Sequence, residues 1–174
     1  MPTAAIEKND ARLIERYRAY GAAFDAAYER DDWTLLEPYF TEDATSELNG
    51  ARVDGRAGIL ASFRDAVAMF DRRFDTRAPR YTAGPTVEDG RVHTTMVSRY
   101  ERAGLPALEV AGEEWFTFRG DRIAGHVDRV LNGAEVMSYL AQHADALHPY
   151  VSPVTEPVTS PTRSIEPAAD TRDG

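Results

Sequence analysis

The chain contains no cysteine. That absence excludes a disulfide framework, zinc–cysteine sites, iron–sulfur clusters and thiol catalysis. Lysine is nearly absent too: Lys8 stands against 19 arginines, which we read as composition bias rather than guanidinium chemistry. No run of about 18 apolar residues occurs, so no segment is expected to span a membrane. The opening residues, MPTAAIEKND, lack a basic segment followed by an apolar one. No signal peptide is therefore expected, and a cytoplasmic location is the default. Basic groups are in deficit, 20 against 29 acidic, for a net charge of −9. Phosphate neutralisation needs a basic face, so neither nucleic acid nor an anionic membrane is an expected partner. A G-x-G-x-x-G turn, a Walker loop, an H-E-x-x-H helix and a G-x-S-x-G elbow are all missing. No cofactor is expected.

What is present is enough for one real core: 174 residues, 43% of them hydrophobic. Five of the ten prolines fall in residues 149–174, PYVSPVTEPVTSPTRSIEPAADTRDG. Such a stretch buries too little apolar surface to offset its ordering entropy, so a disordered tail is expected there. Residues 1–9 are expected to be a flexible N-terminus, which leaves one domain over 10–148.

Leu13, Ile14, Tyr17, Tyr20, Gly21, Phe24, Ala27 and Tyr28 recur at three- and four-residue spacing. This predicts a helix from about Asp10, its N-cap, to Arg30. A brief second helix is expected in DDWTLLEPYF, where Pro38 prevents a longer one. The stretch TEDATSELNGARVDG reads as turn-rich, with a short strand over Ala44–Leu48. A third helix carries Ile59, Leu60, Phe63, Ala66, Val67 and Phe70. Four strands are expected at Thr76–Ala83, Arg91–Ala103, Leu108–Phe118 and Arg122–Leu131. Their short joints imply antiparallel hairpins. A last helix spans Gly133–Leu147. The order predicts an α+β fold, with helices packed on one face of a curved antiparallel sheet.

Three segments carry a family resemblance: DDWTLLEPYFTEDATSEL (Asp31–Leu48), VDGRAGILASF (Val53–Phe63) and RIAGHVDRVL (Arg122–Leu131). They resemble the nuclear transport factor 2-like superfamily, in particular its SnoaL-like members, over roughly Arg12 to Leu147. The resemblance implies a cone, in which a highly bent sheet wraps around the helices and leaves a deep pocket. It implies a small apolar or cyclic substrate and a homodimer. It also implies cofactor-independent chemistry of the cyclase, isomerase or dehydratase kind, or else noncatalytic binding on the same fold.

Strand alternation sorts the candidate residues. His126 and Asp128 share a face of the last strand. Asp128 falls where SnoaL-like cyclases and limonene-epoxide hydrolases keep a catalytic aspartate. A buried aspartate has its pKa raised toward neutrality, as a general acid or base needs. The plainer alternative is an aspartate that binds backbone groups or an arginine. Glu114 shares its face with Phe116 and falls where ketosteroid isomerases keep an oxyanion-stabilising acid. The alternative for Glu114 is a surface charge paired across the strand. Met96, Ser98 and Tyr100 are expected on the pocket face of the long strand. Tyr17, Tyr20 and Phe24 are expected as aromatic walls. Tyr28 is placed at the pocket mouth by its spacing in YERDDW, which resembles that of scytalone-type dehydratases.

The departures narrow the chemistry. The isomerases' general base would align with Leu48 and their oxyanion tyrosine with Phe24. The epoxide hydrolases' arginine and second aspartate would align with Met96 and Ser98, and their water-positioning pair with Ser46 and Leu48. His126-x-Asp128 supplies only two metal ligands, so no metal is expected. Val97, Trp115 and Val127 fall on the outer sheet face, with Arg99 and Arg129 among them, and a homodimer through that face is expected.

Overall fold

The computed structural model describes residues 3–150; the stretch expected to form a disordered tail lies outside them from residue 151 onward. The first helix, α1, spans Thr3–Arg30. It begins well before Asp10, so Asp10 is an interior residue and not the N-cap, and most of the stretch expected to be flexible is helical. Ala4, Ala5, Glu7 and Lys8 are strong helix formers and carry the helix back past Asp10. Leu13, Tyr17, Tyr20 and Ala27 are buried along its inner face.

Trp33–Tyr39 forms a 3-10 helix rather than an α-helix. Pro38 has no N–H to donate and its ring obstructs the preceding turn, so the segment stays short and tight. The Asp32 carboxylate caps it, accepting from the Thr34 N–H at 3.2 Å. Strand β1, Phe40–Leu48, follows and pairs with β2, Ala51–Asp54. Asn49 and Gly50 join them with φ of +49° and +86°. Two successive positive φ values make the tight hairpin turn for which Asn-Gly is favoured. The strand expected over Ala44–Leu48 is therefore longer, and the turn-rich remainder adds a second strand that makes it a hairpin. Helix α2, Arg56–Met69, buries Ile59, Leu60, Phe63 and Val67.

Strands β3 (Thr76–Glu88), β4 (Arg91–Glu101), β5 (Leu108–Arg119) and β6 (Arg122–Val130) form the expected antiparallel meander. β3 continues past the expected end at Ala83 because Gly84 absorbs an irregularity at φ +82°. A Cβ at Gly84 would sit 2.7 Å from the His93 carbonyl oxygen, so no larger residue fits. The six strands lie in the order β2-β1-β6-β5-β4-β3.

One pairing corrects the expectation. β1 and β6 run parallel, so the sheet is mixed and not wholly antiparallel. Short joints dictate the direction only of the strands they link. β1 and β6 are separated by α2 and four strands, and so long a connection can return the chain in either direction.

Two apolar clusters fill the concave side. One joins α1 and α2 to the sheet through Tyr17, Tyr20, Ile59, Phe63, Phe116 and Ile123. The other gathers Phe74, Tyr100, Leu108, Val136 and Leu147 beside α3, Gly133–His143. α3 stops short of Leu147, yet Leu147 is buried from the turn that follows. The His148 N–H donates to the Arg73 carbonyl at 3.1 Å, and Arg73 Nε donates to the His148 carbonyl at 3.1 Å, tying this end of the chain to the body. No helix among the described residues is long and apolar enough to cross a membrane.

Candidate active site

Register aligns side chains into rows across the concave face. Ser46, His126, Phe116 and Val92 form one row, through pairings of β1, β6, β5 and β4. Leu48, Asp128, Glu114 and Thr94 form the next. Val130, Gly112, Met96 and Tyr81 form a third. Side chains two apart on a strand share a face, so His126, Asp128, Glu114, Phe116 and Met96 lie on one surface.

His126 is 3% exposed. Its imidazole stacks on Phe116, with centroids 4.8 Å apart, and meets the edge of Phe63 from α2 at 5.6 Å. Nδ1 lies 3.0 Å from the Ser46 hydroxyl oxygen. Nε2 lies 3.6 Å from Glu114 Oε1, too far for a formed hydrogen bond, and it has no other partner among the described residues. The ring is thus packed by two aromatic side chains and tied at one nitrogen, with its other nitrogen 3.6 Å from a carboxylate oxygen.

Glu114 keeps 18% of its side chain exposed, so the cluster opens to solvent. Asp128 is mostly buried, and its pKa rises from the usual 3.8 to about 6. Burial is the main cause, the negative charge of Glu114 adds to it, and His126 opposes it. The backbone at Asp128 is held by the Asn49 turn. The Asn49 N–H donates to the Asp128 carbonyl at 2.9 Å, and Asn49 Oδ1 accepts from the Val130 N–H at 2.7 Å.

Two tyrosines of α1 reach the same region. The Tyr17 hydroxyl lies 3.1 Å from that of Tyr81, and its ring packs on Phe116 at 5.0 Å. Tyr20 packs on Phe116 at 5.4 Å. Burial pushes both phenols well up, and the nearby charge of Glu114 pushes further. Phe24 is half-buried and packs against Trp33 and Phe63.

Two expected site residues lie elsewhere. Tyr100 stands six residues along β4 from Thr94, about 20 Å at ~3.3 Å per residue. Its hydroxyl donates to Asp71 Oδ1 at 3.0 Å. Tyr28 lies under the guanidinium groups of Arg72 and Arg77, at 4.5 and 5.2 Å. Arg77 approaches Asp71 at 3.4 Å, so Tyr28, Asp71, Arg77 and Tyr100 form a separate polar cluster. The Tyr28 spacing and the Tyr100 parity hold, but neither tells how far along the cone a residue sits. Ser98 is buried on the same face, between the two groups and opposite Val110.

A model of the SnoaL-like domain matches residues 21–126, a span that includes Glu114 and His126. The chain belongs to the SnoaL-like family. Solved structures share its nuclear transport factor 2-like fold. A candidate SnoaL-like polyketide cyclase from Jannaschia sp. CCS1 is 13% identical with a TM-score of 0.61, covering 76% of this chain and 93% of that one. Bal32a, from a soil-derived mobile gene cassette, is 20% identical with a TM-score of 0.57, covering 75% and 98%. An LEH-like epoxide hydrolase from M. tuberculosis is 15% identical with a TM-score of 0.56, covering 79% and 95%. No curated protein matches the chain.

In this SnoaL-like chain two surface depressions are lined by neither Asp128 nor Glu114. One of about 430 Å³ borders α3 at Glu135, Ser138 and Tyr139. The other, about 190 Å³, crosses β1, β6 and β5 near Arg91 and Trp115 and is lined in part by Ser46 and His126. Among the described residues no three His, Asp or Glu side chains are grouped to hold a metal ion. The sequence reading left Tyr81 out and met Ser46 only as a place in an alignment. Tyr81 is on an irregular edge strand whose parity is not readable. Ser46 meets His126 only through the parallel β1–β6 pairing. The Asn-Gly dipeptide before β2 was a legible signal for that hairpin.

Proposed function

We propose that this chain is a cofactor-independent enzyme that moves a proton next to a carbonyl group in a small cyclic or polyketide-like molecule. The supporting observation is the pairing of Glu114 with Asp128, directly opposite on β5 and β6. Burial, with the Glu114 charge adding to it, leaves this aspartate with a pKa of about 6 on a face lined by aromatic rings. A carboxyl group tuned there gives and takes protons near neutral pH, which is what enolisation, aldol closure and dehydration each require. Asp128 is the proton-transfer group. The Tyr17–Tyr81 hydroxyl pair supplies hydrogen-bond donors for the oxygen that becomes negative. Neither Asp128 nor His126 pairs with an arginine among the described residues; Arg129 turns to Glu113 on the other face. That arrangement favours chemistry over the alternative of a structural ion pair.

The test is exchange of carbonyl-adjacent protons in D2O, followed by NMR across a panel of cyclic diketones and β,γ-unsaturated ketones. The expected result is exchange above buffer that rises through about pH 6, and that falls at least ~100-fold in Asp128→Asn. Equal rates in the folded variant and the wild type would refute the assignment and leave a noncatalytic binding module of the same fold.

We further infer that a second copy of the chain covers the outer sheet face. Trp115 stacks there on His93 at 3.8 Å, with Arg91 4.6 Å above its ring, and Val127 is opposite it in register. Charges of both signs alternate around them, Arg129 with Glu113 and Arg99 with Glu109. A face with both signs interspersed complements itself under twofold symmetry.

A further inference from the structure

We propose that Ser46 is a positioning residue that donates its hydroxyl proton to His126 Nδ1 and so holds the imidazole in the neutral tautomer whose Nε2–H points at Glu114. The proposal rests on the reading of Glu114 and Asp128 as the acid–base pair, but its first test does not depend on that reading.

Two arguments select the direction of the 3.0 Å contact. The first concerns Ser46, which is 1% exposed and has His126 Nδ1 as its hydrogen-bond partner. If Nδ1 carried the proton, the serine would accept, and its own O–H would be buried without an acceptor. A buried unsatisfied donor is a net cost, and donation to Nδ1 removes it. The second concerns the other nitrogen. Nε2 is buried, without a hydrogen-bond partner among the described residues, and 3.6 Å from Glu114 Oε1. A bare lone pair there would face a carboxylate oxygen, which is repulsive. An Nε2–H in the same place faces an acceptor. Both ends of the ring therefore favour the same tautomer, and the ring's orientation is fixed by Phe63 and Phe116.

The chain of contacts ends at the reacting group. Ser46 on β1 holds His126 on β6, His126 addresses Glu114 on β5, and Glu114 is the cross-strand partner of Asp128. The titratable groups facing this imidazole are Glu114 from β5, Asp128 two residues along β6, and Tyr17 and Tyr20 from α1 across Phe116. The gap at Nε2 is one that a small closing movement on ligand binding would shorten to a formed bond. His126 then acts as a neutral donor that keeps the Glu114 charge in place.

Long-range proton–nitrogen correlation spectra of the full chain, labelled at histidine, read the tautomer directly, with His126→Gln identifying the resonances. The expected result at pH 7 is a protonated Nε2 and an unprotonated Nδ1. A protonated Nδ1, alone or with Nε2, overturns the proposal, and this measurement needs no Ser46 variant to fold. In Ser46→Ala the tautomers should mix. Where the proton sits on Nδ1, a bare Nε2 lone pair replaces the N–H against Glu114, and this alters the electrostatic field at Asp128. The Asp128 midpoint, followed by its carboxyl carbon, should then move from its wild-type position. Ser46→Thr keeps the hydroxyl and should restore both readouts. If Ser46→Ala lowers only the melting temperature and leaves tautomer and midpoint alone, Ser46 is structural and the proposal fails. Wild-type tautomer with no effect of Asp128→Asn on exchange would instead refute the proposed activity while leaving the role of Ser46 intact.

Discussion

Glu114 and Asp128 face each other across β5 and β6 as direct cross-strand partners. Like charges in that relationship destabilise a sheet. The fold carries the pair with Asp128 mostly buried, and burial first, then the Glu114 charge, raises its pKa to about 6. Stability and pH are therefore linked at this position.

Between pH 3.8 and about 6 the folded chain holds a proton on Asp128 that the unfolded chain has released. Stability contributed by this group is full below pH 3.8 and is lost as pH rises through 6. The loss is at most about 3 kcal/mol, at 1.36 kcal/mol per pH unit. Asp128→Asn should therefore be more stable than wild type at pH 8, by ~1–3 kcal/mol, and not more stable at pH 3.5. Urea unfolding at the two pH values measures this.

Removing the neighbouring charge should relax Asp128 directly. Glu114→Gln is expected to move the Asp128 midpoint down from about 6 toward, but not to, 3.8, because burial is the larger cause. Carboxyl carbon NMR against pH reads the midpoint. A midpoint that stays at 6 would show that the Glu114 charge is not felt there.

Phe63 serves both the core and the site. It is buried, packs on Phe24 at 5.7 Å and Phe40 at 6.1 Å, and meets His126 in a T-shaped contact at 5.6 Å. Phe63→Ala should cost ~3–5 kcal/mol in denaturant unfolding. It should also remove one of the two rings packed on the imidazole and broaden the His126 resonances in the variant, which Ile59→Val, on the same helix, should leave sharp.

The proposed dimer is checked by mass. Wild type at micromolar concentration should scatter light as twice 19.3 kDa. Trp115→Arg places a bulky charge at the centre of the proposed contact and should give a monomer with unchanged far-ultraviolet circular dichroism.

The sequence by itself determined the elements. The apolar stripe from Leu13 to Tyr28, the period of Ile59 to Val67 and the alternation of β4 to β6 are local signals, because side-chain direction repeats every 3.6 or 2 residues. Alternation also sufficed to put His126, Asp128, Glu114 and Met96 on one face and His93 and Trp115 on the other. Only the tertiary structure decided which of those faces meet. The parallel pairing of β1 with β6 brings Ser46 to His126 across 80 residues of chain. Tyr100, six residues along β4 from Thr94, and Tyr28, at the end of α1, meet Asp71 and Arg77 and not Asp128. Periodicity gives the direction of a side chain but not its distance from another element, and proton transfer depends on that distance.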